Sequence, residues 1–134
     1  MRLLVDTSVW SLALRRRATA HISSAESRLV NALTEAISDG RVVMIGPIRQ
    51  ELLSGIKEAA QFQKVKSALE PFRDEPIATT DYEEAAESYN LCRSHGVECG
   101  PVDILICAVA WKRRWDVLTS DAAMKRRLEI IRLR

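Results

Sequence analysis

The chain has 134 residues, 47% of them hydrophobic and 28% charged, with a formal net charge of +2. That is room for one domain of about 100–200 residues with its own core, so we expect a single domain over 1–134 and neither disorder nor a second module. The longest unbroken apolar run, Ile104 to Trp111, is eight residues, far short of the roughly 18 a membrane span needs.

In chain order, Leu3-Leu4-Val5 reads as a short buried strand that stops at Asp6, too soon to be a signal core. With three cysteines, an odd number, and no export signal, we expect free thiols and a cytoplasmic location. Thr7 to Leu14 starts a helix. Ser24 to Ser38 is a second, with Leu29, Ala32, Leu33 and Ala36 on one face, and Asp39-Gly40 ends it. Val42-Val43-Met44-Ile45 is a β-branched strand; Gly46-Pro47 then opens a helix carrying Ile48, Glu51, Leu52 and Leu53.

A helix over Glu58–Leu69 ends before Pro71, and Pro76–Thr79 is a candidate edge strand. Asp81 and Glu84 have capping-box spacing for a helix with an apolar stripe of Tyr82, Ala85, Ala86 and Tyr89, ended by Gly96. Asp103 to about Arg113 is apolar on every side and is therefore a buried helix. Asp116–Thr119 is a strand, Asp121 starts a short helix, and Glu129-Ile130-Ile131 is a final strand. Apolar strands alternating with amphipathic helices predict an α/β fold around a parallel sheet.

Four acids occupy informative places. Asp6 follows the first strand, Glu51 lies early in the helix after the second, Asp103 heads the buried helix and Asp121 follows Thr119. In an open parallel sheet the chain leaves every strand at one edge, where ligands bind. Asp6, Glu51 and Asp121 would meet there, and Asp103 joins them if its helix points inward. Each acid singly is explained as a helix cap or an exposed side chain. Together, crowded carboxylates repel unless a cation neutralises them, and oxygen ligands select Mg²⁺ or Mn²⁺. Such a site suits phosphodiester hydrolysis.

The ordered set Leu-Leu-Val-Asp-Thr-Ser, Pro-Ile-Arg-Gln-Glu-Leu around Glu51, the Asp103-headed helix and Leu118-Thr119-Ser120-Asp121 resembles the PIN domain, most nearly the VapC-type toxins of toxin–antitoxin pairs. The resemblance implies a three-layer α/β/α fold with a central, mostly parallel sheet of four to five short strands. It implies a Mg²⁺- or Mn²⁺-dependent endoribonuclease, with water activated at the metal and a 5′-phosphate and 3′-hydroxyl left behind. Asp6, Glu51, Asp103 and Asp121 match the catalytic, metal-holding acids, and Ser8 and Thr119 match supporting polar positions. It also implies a homodimer and a cognate antitoxin that covers the active-site groove. Where many relatives continue Asp-x-Asp-Phe, this chain has Asp121-Ala122-Ala123-Met124, so an auxiliary acid is missing. That feature favours the alternative, a catalytically weak PIN-like module that binds RNA or protein.

The charge is uneven: residues 112–134 carry +5 and residues 1–111 carry −3. The clusters Arg15–Arg17, Lys112–Arg114 and Lys125–Arg127 are either solvated helix ends or phosphate contacts. Lys125, Arg126 and Arg127, nearest a candidate acid, are the first choice for RNA, and Arg49 is a further candidate for RNA, a salt bridge or an antitoxin carboxylate. Cys92, His95 and Cys99 have zinc-like spacing but lack a fourth ligand, since Cys107 falls in the buried helix.

Overall fold

The computed structural model describes residues 1–15 and 21–133. Strand β1 (Leu3–Val5) is buried along its length. Successive strand side chains point to opposite faces, so burial of all three requires cover on both sides of the sheet. Around it run α1 (Thr7–Leu14), α2 (Ser24–Ser38), β2 (Val42–Val43), α3 (Gly46–Leu53), α4 (Ala59–Leu69), α5 (Thr79–Ser94), α6 (Pro101–Arg113), β3 (Asp116–Leu118) and α7 (Ala122–Ile131). The result is the expected α/β/α layering.

Among the described residues the sheet has three strands in the order β2-β1-β3, both pairings parallel. The register aligns Leu3 with Val42 and Asp116, and Val5 with Leu118. An isolated parallel bridge between Met44 and Asp74 prolongs the β2 edge. This is fewer than the four to five strands expected. Because the chain moves to one side of β1 and then to the other, the order reverses at β1. Such a switch point opens a crevice beyond the strand ends, at Asp6.

Two predicted strands are corrected. Glu129-Ile130-Ile131 belongs to α7, where Met124, Arg127, Ile130 and Ile131 form one buried face at helical spacing. Pro76–Thr79 forms no strand; α5 begins at Thr79, two residues before the expected cap. Asp81 therefore sits inside the first turn, and its carboxylate accepts from the Ala78 amide at 2.8 Å. The buried face of α5 is Asp81, Ala85, Ser88 and Cys92 rather than the tyrosine stripe. Tyr82 and Tyr89 instead line an open cavity of about 740 Å³ with Pro47, Val102 and Leu105.

The core gathers Leu4, Val5, Ile45, Ile48 and Leu52 with all of Ile104–Ala110. Trp10 is buried and meets Phe72 edge-on, ring centres 5.2 Å apart. No helix of the described residues is long and apolar enough to cross a membrane.

Candidate active site

Asp6 leaves β1 at the crevice and is 5% exposed. It stands at the N-cap of α1 but caps nothing with its side chain. Its Oδ2 instead accepts from the Ser8 hydroxyl at 2.9 Å and the Thr119 hydroxyl at 2.8 Å. The helix-cap explanation of this acid thus fails: its carboxylate faces the crevice residues. Thr119 in turn accepts from the Asp121 amide at 3.0 Å, and Ser8 accepts from the Ser120 amide at 3.2 Å. These bonds tie the loop after β3 to the N-cap and first turn of α1, 112 or 113 residues apart in sequence.

Glu51 is exposed on α3, yet its Oε1 accepts from the Thr7 hydroxyl at 2.6 Å. Asp121 caps α7 by accepting from the Ala123 amide at 2.9 Å, so the structural role expected of it is real. Its other oxygen, Oδ2, lies 3.5 Å from Arg127 Nη1, which is also 3.6 Å from Asp103 Oδ2. Burial pushes the Asp103 carboxyl above its ordinary range; the charges of Asp6, Glu51 and Asp121 push the same way, while Arg127 pulls it back. Asp103 thus feels all three other acids, and the contacts Glu51–Thr7, Asp6–Thr119, Thr119–Asp121 and Asp121–Arg127–Asp103 link the four along one edge.

Among the described residues, no three His, Cys, Asp or Glu side chains stand close enough together to hold a metal ion. The acids share the edge without closing into a ligand cluster: Asp6 and Glu51 accept from hydroxyls, and Asp103 and Asp121 face a guanidinium. As a donor set they are all carboxylate, with an excess of negative charge. That chemistry fits a hard divalent cation, once the side chains close on it.

The basic candidates separate. Lys125 is exposed and lines an open cavity with Arg28, Thr119 and Ser120 beside the acids. Arg126 is exposed and pairs with Glu129 at 3.5 Å. Arg127 is 8% exposed and turned inward, so it is no surface phosphate contact. Arg49 is committed too: Nε meets Asp74 at 3.0 Å, Nη1 donates to the Leu69 carbonyl at 3.0 Å and Nη2 to that of Phe72. Of its open alternatives, the salt bridge is the one found.

Lys112 and Arg113 pair with Asp81, and Arg114 takes the left-handed cap of α6 at φ 58. Arg16 and Arg17 lie outside the described residues. The His95 ring lies against the Leu91 carbonyl at 3.0 Å, and Cys92, Cys99 and Cys107 are free. Burial, with Cys99 beside it, raises the Cys92 thiol to about 11. Sequence reasoning missed the inward role of Arg127; its spacing from Met124 and Ile130–Ile131 was the available signal, hidden by the strand assignment.

The chain belongs to the PIN domain family, whose family model spans residues 3–128. PIN domains are generally nucleases and typically use divalent metals. The fold is similar to the crystal structure of FitAcB from Neisseria gonorrhoeae, with a TM-score of 0.73 over 95% of this chain and 93% of that chain, at 21% sequence identity. At that identity the likeness is one of fold. No curated protein matches the sequence.

Proposed function

We propose that this chain is a Mg²⁺- or Mn²⁺-dependent endoribonuclease, the toxin of a VapBC-type toxin–antitoxin pair. The observation that carries the reading is the convergence of Asp6, Glu51, Asp103 and Asp121 on one edge, where Asp103 feels the charge of the other three. Those four acids would hold the cation, which when bound supplies an activated water and charge stabilisation at a scissile phosphate. Ser8 and Thr119 orient the Asp6 carboxylate, and Thr7 orients Glu51. Lys125, exposed beside the site, attracts the RNA backbone through charge, and the exposed Arg126 next to it in sequence adds to that charge. A homodimer and an antitoxin lying over the groove belong to the same reading and rest on the family resemblance.

The test is cleavage of total RNA by the purified chain with Mn²⁺ or Mg²⁺. Asp6→Asn and Asp103→Asn should each lower the rate by about 100-fold or more while the fold survives. Unchanged cleavage in both variants would sink the assignment. The second reading, an RNA- or protein-binding module, draws on Ala122 and Ala123 after Asp121. RNA binding without cleavage under any divalent metal would establish it.

A further inference from the structure

The acid cluster contains a cation of the chain's own. Arg127 Nε and Nη2 donate to the Glu98 carbonyl at 3.3 and 3.2 Å, which fixes the plane of the guanidinium. The remaining nitrogen, Nη1, is buried without a hydrogen-bond partner and stands 3.6 Å from Asp103 Oδ2 and 3.5 Å from Asp121 Oδ2. At 8% exposed and clamped on a backbone carbonyl, this is a stationary positive charge aimed into the site. The four acids divide accordingly. Asp103 and Asp121 face the guanidinium, whereas Asp6 and Glu51 meet hydroxyls, which orient a carboxylate without neutralising it. Beyond Asp121 the helix presents Ala122 and Ala123, so it adds no carboxylate that could help hold a further ion.

We propose that Arg127 stands in for a second metal ion. The site takes one divalent cation on the side of Asp6, Glu51 and Asp103, and the guanidinium bridging Asp103 and Asp121 supplies the second positive centre while weakening the hold on the first. The inference rests on reading the acids as a metal site. Its charge logic is simple. Four carboxylates with one guanidinium are formally −3, which one divalent cation brings close to neutrality; without Arg127 the same acids have charge enough for two.

Calorimetric titration of the metal-free full chain with Mn²⁺, without RNA, tests this. The wild type should bind one equivalent. Arg127→Gln should bind Mn²⁺ about tenfold more tightly or more, since a positive charge beside two ligands is gone. Arg127→Lys, which keeps the charge, should remain within about threefold of the wild type. Two equivalents on the wild type, or unaltered affinity in Arg127→Gln, would overturn the inference and leave the metal site standing. No Mn²⁺ binding by the wild type at millimolar concentration would overturn both. If Arg127→Gln fails to fold, the wild-type stoichiometry still decides the question.

Discussion

Two clusters in this molecule join acids to arginine, and they behave oppositely. In the first, Asp81 is 2% exposed and meets Arg113 at 3.0 Å and Lys112 at 3.8 Å, while Lys112 also reaches Glu84 at 3.4 Å. Two acids face two cations and the Ala78 amide donates to Asp81, so the formal charges cancel, although Asp81 Oδ1, Glu84 Oε2 and Arg113 Nη1 are buried without a hydrogen-bond partner. In the second, four acids gather around one guanidinium, that of Arg127, which meets only Asp103 and Asp121. Both place an acid in the first turn of a helix, α5 or α6, against an arginine from another helix. The balanced cluster joins α5 to the end of α6; the unbalanced one retains net negative charge, which the proposed divalent cation would meet. Charge left over in a semi-buried crevice marks a candidate functional site.

The sharpest way to break the comparison is thermal unfolding in chelator. Asp81→Ala should lose about 2–3 kcal/mol, because it strands two partly buried cations. Asp121→Asn should lose nothing measurable, since asparagine still caps α7 and one repulsive charge is gone. Equal losses would mean that the two clusters are the same kind of structure.

Smaller effects sharpen the distinction within the site. Thr119→Val removes a hydroxyl that orients Asp6 and should cost about 10–100-fold in activity or metal affinity. It should cost only about 1 kcal/mol in stability, read from the denaturation midpoint. Among the basic residues, Lys125→Ala should weaken RNA binding and lower the slope of log affinity against log salt by about one. Arg49→Met should leave that slope unaltered and lower the melting temperature, because its guanidinium is engaged with Asp74 and two carbonyls.

Much of this was legible before any coordinates. The boundaries of Leu3–Val5, Thr7–Leu14 and Ser24–Ser38 were readable from apolar runs and breakers, because local pattern governs those elements. An edge shared by Asp6, Glu51 and Asp121 was expected from strand–helix alternation, with Asp103 joining them on the condition that its helix points inward. Errors arose where burial overrode local appearance. Ile130 and Ile131 look β-prone, but three-residue spacing back to Arg127 and Met124 makes them a helix face. Tyr82 and Tyr89 look like core and instead line an open cavity, because the interior side of α5 is given to Asp81 and its cations.

The sequence by itself determined the α/β class and the candidate acids, since these depend on periodicity and on residues next to strand ends, and its ordered motifs carried the resemblance to the family. Only the tertiary structure decided how those acids are held. Asp6 is gripped by one hydroxyl from the first turn of α1 and one from a loop more than a hundred residues away, and Arg127 turns inward while Lys125 stays in solvent two residues earlier. The physical reason is that charge is compensated through space. A near-neutral total says nothing about whether a given carboxylate has met its cation.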